Sequence, residues 1–154
     1  MGYCDAQCPH DLKWINGEAN VDQWVPADVD VNAGKGEHGS CCTEIDIWEA
    51  NKISTAFTMH SCAVEEQTRC EGVGCGDKGH PTYDVGALER FNGVCDKNGC
   101  NIQAHRFGTT DFWGPGAKFT IDSTKPVAVT TQFHHNRLYR SLGILRYQRL
   151  FSEK

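Results

Sequence analysis

The chain lacks what several large protein classes require. No apolar run approaches the ~18 residues that cross a bilayer as a helix, so no membrane partner is expected. Positive charge is scarce: 15 Lys and Arg stand against 20 Asp and Glu, a formal charge of −5. Phosphate binding draws on a basic surface, so nucleic acid is disfavoured as a partner, whereas a neutral sugar polymer is compatible. Apolar residues make up 39% of the chain, little for a packed core, and there are 16 glycines. That balance points to a loop-rich β protein rather than a helix bundle. No signal peptide opens the chain, since residues 1–15 are polar and include two cysteines. No internal repeat or low-complexity tract is visible, and 154 residues suit one domain.

What the chain has in quantity is cysteine, nine in all. They are Cys4, Cys8, Cys41, Cys42, Cys62, Cys70, Cys75, Cys95 and Cys100. A reducing compartment would turn such a set toward metal binding, an oxidising one toward disulfides. Structural zinc favours paired C-x₂₋₄-C knuckles. Cys4/Cys8, Cys70/Cys75 and Cys95/Cys100 pass loosely, but adjacent Cys41-Cys42 chelates poorly and no C-x₂-C occurs. Disulfides are therefore favoured over a cysteine-rich metal module. The odd cysteine is either a free thiol or one half of a bond to a residue elsewhere.

Residues 16–40, with Asn16-Gly17, Asn32-Ala33-Gly34 and His38-Gly39, read as turns and surface loops. Residues 41–49 read as a strand, and residues 71–100, with seven of the glycines, as a long stapled loop region. Phe119–Asp122 and Val127–Phe133 read as strands joined by a turn at Lys125-Pro126. Only Trp48 to Phe57 suits a short helix, so the class is all-β. From Arg137 to Arg149 there are four arginines and no acidic residue. Residues His135–Leu150 show neither a strand period nor a helical face. Residues 134–154 thus read as a divergent basic tail, either a genuine terminus or non-native coding sequence.

Chemistry concentrates in Glu44-Ile45-Asp46-Ile47-Trp48-Glu49. Side chains alternate along a strand, so Glu44 and Asp46 share a face. A β-bulge near Ile47-Trp48 would return Glu49 to that face. Retaining glycoside hydrolysis uses two carboxyls about 5–5.5 Å apart, one as nucleophile and one as acid/base. A third acid between them helps the pair titrate differently, and Asp46 is placed to do that. The plain alternatives are a solvated acidic strand or an incidental calcium site. Ile45, Ile47 and Trp48 favour a buried strand with its acids on one side. His60, eleven residues beyond Glu49, is a candidate partner for the acids. Trp14, Trp24, Trp48, Trp113, Tyr3 and Tyr83 offer flat faces for sugar stacking or ordinary packing. Arg90 and Arg106 flank Cys95 and Cys100, where stapled loops can present a sugar contact.

Four stretches together resemble glycoside hydrolase family 7, the cellobiohydrolases and endoglucanases. They are Gly2-Tyr3-Cys4-Asp5-Ala6-Gln7-Cys8-Pro9, Ile15-Asn16-Gly17-Glu18-Ala19-Asn20, Gly39-Ser40-Cys41-Cys42-Thr43-Glu44-Ile45-Asp46-Ile47-Trp48-Glu49-Ala50-Asn51 and Thr130-Thr131-Gln132-Phe133. The resemblance runs from residue 2 to about 133, covers well under half of that catalytic domain, and stops after His134. Residues 1–133 are therefore read as a partial catalytic domain. The resemblance implies a concanavalin-like β-sandwich (jelly roll), incomplete in this chain, with a long substrate cleft.

By the same resemblance Glu44 is the nucleophile, Glu49 the acid/base, Asp46 the carboxylate between them, and His60 the active-site histidine. Tyr3, Asp5, Gln7, Lys13, Arg90 and Arg106 match positions lining the cellulose path. Cys4 pairs with Cys42, Cys8 with Cys41, Cys62 with Cys95 and Cys70 with Cys75, leaving Cys100 alone. The stretch Cys75–Cys95, with Gly79-His80-Pro81-Thr82-Tyr83 inside it, resembles the exo form, though longer than the common pattern. The implied protein is a secreted, monomeric cellulase acting on β-1,4-glucan, with no cofactor or metal. Endo action, or non-catalytic glucan binding, are the alternatives.

Overall fold

The computed structural model describes residues 2–76, 92–135 and 145–153. Among them are thirteen strands and two short 3-10 turns, Gly72–Cys75 and His105–Phe107, and the chain is all-β. None of their helices is long and apolar enough to cross a membrane. The chain divides into two compact units, residues 1–45 with 59–100 and residues 46–58 with 101–154.

The first unit begins with a hairpin of β1 (Trp14–Ile15) and β2 (Glu18–Ala19). Asn16 and Gly17 close it at φ 51° and 84°. Two successive positive φ values suit a two-residue hairpin turn, and Asn-Gly tolerates them best. β3 (Val25–Ala27) pairs antiparallel with β4 (Asp30–Lys35), with a register shift at Pro26/Ala27. Residues 16–40, expected as turns and loops, therefore also hold short strands. Backbone pairing defines them, without an apolar alternation to announce them.

β5 (His38–Cys41) pairs antiparallel with β8 (Thr68–Glu71), Gly39 opposite Cys70. A Cβ at Gly39 would lie 2.5 Å from the Cys8 carbonyl oxygen and 2.8 Å from Cys70 Sγ, so only glycine lets the two segments meet. The buried cluster here is Ala6, Cys8, Cys41, Cys70, Cys75 and Cys95. Sulfur bridges take the place of large side chains, an answer available to chains with little apolar mass. Asn20, fully buried, donates to the carbonyls of Leu12 (3.0 Å) and His38 (2.7 Å) and accepts from the His38 N–H (3.0 Å).

The single strand expected over residues 41–49 is two strands, β5 ending at Cys41 and β6 (Glu44–Ala50) beginning at Glu44. The break follows from adjacent cysteines bonded to different partners. Cys42 leaves the ladder, and its N–H turns to the Asp5 carbonyl at 3.1 Å. β6, β7 (Thr55–His60) and β9 (Cys100–Ile102) form a three-stranded sheet in the order β6-β7-β9.

In the second unit, the stretch Trp48–Phe57, read as the one helical candidate, is instead the end of β6, a bend at residues 51–54 and the start of β7. Asn51 Oδ1 accepts from the N–H groups of Ile53 and Ser54, each at 2.9 Å. Asn side chains that bond their own following backbone favour turns over helices. Trp113 Nε1–H donates to the Asn51 carbonyl at 2.9 Å, and its ring meets Trp48 edge-on at 5.5 Å between centroids. β10 (Trp113–Gly114) and β11 (Ile121–Asp122) pair in parallel. Phe119 and Thr120, expected in the strand, precede it, because the Phe119 N–H closes a turn onto Gly116.

Asp122 is tied into its own loop. Its Oδ1 accepts from Gly116 N–H (2.7 Å), Thr124 N–H (3.0 Å) and the Thr124 hydroxyl (2.7 Å). Those bonds, with Lys125 adding a smaller charge effect, lower its pKa from 3.8 to about 2.

β12 (Val127–His135) pairs antiparallel with β13 (Leu145–Glu153), from Val127 opposite Glu153 to His135 opposite Leu145. Residues 145–150, which showed no strand period, thus lie in a strand whose partner supplies the backbone bonds.

Candidate active site

β6 carries the three acids. Its exposure alternates from Glu44 through Trp48, with Glu44, Asp46 and Trp48 half-buried and Ile45 and Ile47 exposed by 56% and 41%. The expectation of a buried strand is corrected here: Glu44 and Asp46 occupy the better-covered face and the isoleucines the open one. The alternation ends at Glu49 and Ala50, which are both exposed.

In the first unit, Glu44 Oε2 accepts from the Ala6 N–H at 3.0 Å. The two disulfides from Cys4 and Cys8 to Cys42 and Cys41 bracket that contact and hold residues 4–8 beside the start of β6. His60 ends β7 at 7% exposure, and its Nδ1 lies 2.8 Å from the Asp96 carbonyl. A carbonyl only accepts, so that nitrogen carries the proton. A carboxylate oxygen of Glu44 and a ring nitrogen of His60 lie within 4.8 Å. The bond between Cys62 and Cys95 fixes the Asp96 segment, and Asp96 N–H returns a bond to Ser61 at 2.8 Å.

Tyr3, Asp5 and Gln7 form a chain on the same segment. The Tyr3 hydroxyl donates to Asp5 Oδ2 at 2.7 Å, Asp5 Oδ1 accepts the Gln7 N–H at 2.7 Å, and Gln7 Nε2 donates to the Lys97 carbonyl at 2.9 Å. Asp5 raises the Tyr3 pKa, first by that hydrogen bond and then by its charge, with the charge of Glu44 adding to it. Tyr3 remains 61% exposed and a proton donor. Lys13 lies with its ammonium 5.5 Å from the Trp24 ring centre.

In the second unit, Glu49 Oε2 accepts a hydrogen bond from the hydroxyl of Thr58 on β7. Thr58 is 3% exposed. Arg106 Nη1 donates to Asn101 Oδ1 at 2.7 Å. Arg90 and Tyr83, with the stretch Gly79–Tyr83, lie outside the described residues.

The cysteines form bonds between Cys4 and Cys42, Cys8 and Cys41, Cys62 and Cys95, and Cys70 and Cys75, and Cys100 is an exposed free thiol. Cys8, Cys41 and Cys95 place their sulfurs within 4.8 Å of one another. All three are disulfide-bonded and have no thiolate to offer a metal. Sequence reasoning did not reach the Ala6 N–H, the Asp96 carbonyl or Thr58. The first two act through backbone atoms, which residue identity does not mark. Thr58 lies two positions before His60 and shares its side of β7, the only signal it carries.

The model of glycosyl hydrolase family 7 matches residues 1–153. Among solved structures, the chain is similar to a GH7 family cellobiohydrolase from Daphnia pulex, with 49% identity, a TM-score of 0.74, and coverage of 98% of this chain and 32% of that one. It is similar to a cellobiohydrolase from Melanocarpus albomyces complexed with cellotetraose, with 38% identity, a TM-score of 0.64, and coverage of 94% and 32%. It is also similar to the endocellulase EGI of Humicola insolens, with 36% identity, a TM-score of 0.64, and coverage of 98% and 30%. The chain spans about a third of the length of these structures. Its fold is the concanavalin-like β-sandwich, incomplete in this chain. With the family model matched over nearly every residue, the chain belongs to glycosyl hydrolase family 7.

Proposed function

We propose that the protein hydrolyses β-1,4-glucosidic bonds of cellulose with retention, in a cellobiohydrolase-like manner. The observation that carries this reading is β6 itself, which presents Glu44, Asp46 and Glu49 on one strand, Glu44 against a backbone donor and Glu49 against a buried hydroxyl. In the first step a Glu44 oxygen attacks the anomeric carbon while the glycosidic C–O bond breaks, and the departing oxygen takes a proton from Glu49. In the second, Glu49 takes a proton from water, the water oxygen bonds to the anomeric carbon, and Glu44 leaves. Asp46 keeps the two carboxyls electrostatically distinct, and His60 borders Glu44. By the family resemblance, Tyr3, Asp5, Gln7, Lys13, Arg90 and Arg106 are the residues that contact glucan.

The exo preference draws support from the resemblance of the Cys75–Cys95 sequence stretch to the exo form. The disulfides support a secreted protein, and the monomeric state belongs to the same proposal. The test is release of chromophore from an aryl β-cellobioside, with cellobiose as product. Turnover that falls to background in Glu44→Gln is the expected result. Undiminished turnover in that variant would overturn the reading.

A further inference from the structure

We infer that Thr58 is a positioning residue for Glu49, an inference that rests on the proposed acid/base role of Glu49. Thr58 is 3% exposed, and its hydroxyl donates to Glu49 Oε2. A buried hydroxyl requires a partner, and here that partner is the carboxylate. Glu49 is itself exposed at the edge where the alternation of β6 ends. An exposed glutamate otherwise samples several rotamers, and ordering one costs side-chain entropy. Thr58 is β-branched and sits inside a regular strand, so its χ1 is stiff and its hydroxyl direction is fixed. The flexible acid is thereby indexed to a rigid donor on the neighbouring strand.

The chemistry of the hydroxyl suits a group that changes protonation state within one turnover. A threonine hydroxyl donates equally to a carboxylate oxygen and to the carbonyl oxygen of a carboxylic acid. Thr58 can therefore keep one oxygen of Glu49 in place while the other gives up its proton to the departing oxygen and later receives one from water. No atom of Thr58 needs to touch substrate.

The test compares two aryl cellobiosides. One has a poor leaving group that needs proton donation, 4-methylumbelliferone. The other has a good leaving group that does not, 2,4-dinitrophenol. Thr58→Val keeps the shape and removes the donor. It is expected to lower kcat/KM about tenfold for the first substrate and little for the second, the size that follows from losing one charge-assisted bond. Thr58→Ser restores the donor and is expected to recover most of the loss.

Equal losses on both substrates, or no recovery in Thr58→Ser, would overturn the inference in favour of a packing role. Glu49→Gln run alongside separates the two readings. If it lacks the leaving-group signature, the acid/base role fails; if it has the signature and Thr58→Val does not, only the role of Thr58 fails. A second readout is independent of turnover. The Glu49 side chain is expected to gain mobility in Thr58→Val by NMR methylene relaxation, and unchanged order would overturn the inference.

Discussion

Breaking the bond between Cys62 and Cys95 should cost markedly more than breaking the one between Cys70 and Cys75. The first pair is 33 residues apart in sequence, and the second, five apart, lies inside its loop. Closing a loop of roughly 30 residues restricts the unfolded chain by about 3.6 kcal/mol, and closing one of five residues by about 2 kcal/mol. For a chain of this size those terms correspond to losses in Tm of about 7–14 °C and about 4–8 °C. The perturbation is paired alanine substitution, Cys62→Ala with Cys95→Ala against Cys70→Ala with Cys75→Ala. Cys70, Cys75 and Cys95 belong to one buried cluster and Cys62 packs against it, so the short-bridge variant loses at least as much sulfur packing and a larger loss for the long bridge reports loop size. The assay is thermal unfolding followed by near-ultraviolet circular dichroism at fixed pH. Equal Tm values, or a larger loss for the short bridge, would refute the loop argument and assign the stability to sulfur packing instead. The long bridge also holds the Asp96 carbonyl against His60. Its removal should therefore shift the His60 ring resonances, while removal of the short bridge leaves them in place.

Three further outcomes are expected. Gly39→Ala brings a methyl within 2.5 Å of the Cys8 carbonyl oxygen and should destabilise the chain by about 1–3 kcal/mol, read as a lower denaturation midpoint in urea. Asp122 has a folded pKa of about 2 against 3.8, so its share of stability is present above pH ~4 and disappears as pH falls toward 2. Tm measured between pH 5 and 2 should fall less steeply in Asp122→Asn than in the unmutated chain. Asn51→Ala removes the acceptor for the Ile53 and Ser54 N–H groups and should lower Tm by a few degrees, with faster hydrogen exchange at those two amides.

The all-β class and the acid-bearing strand were legible in the sequence because each left a local mark. Asn16-Gly17 announced its turn through the φ values it tolerates. Glu44, Asp46 and Glu49 announced a shared strand through spacing. Other features left no such mark. Residues 41–49 looked continuous because the break at Cys42 depends on which distant cysteines Cys41 and Cys42 join, and spacing leaves that connectivity open. β13 was invisible because the pairing with β12 that defines it is long-range and leaves no local mark. The exposure of Ile45 and Ile47 was unexpected because apolar identity says what a residue prefers to cover, not what covers it. At the site, Glu44 is held by the N–H of Ala6, Glu49 by the hydroxyl of Thr58 and His60 by the carbonyl of Asp96. None of these three partners is marked by the chemistry of the reaction.

The central claim is that Glu44 becomes covalently bound to sugar during turnover. A 2-deoxy-2-fluoro β-cellobioside with a good leaving group slows breakdown of such an intermediate, and peptide mass spectrometry then locates it. The account predicts one added 2-deoxy-2-fluorocellobiosyl group on Glu44, and none in Glu44→Gln. A label on Glu49 or Asp46, or hydrolysis that proceeds with inversion and no label at all, would contradict it.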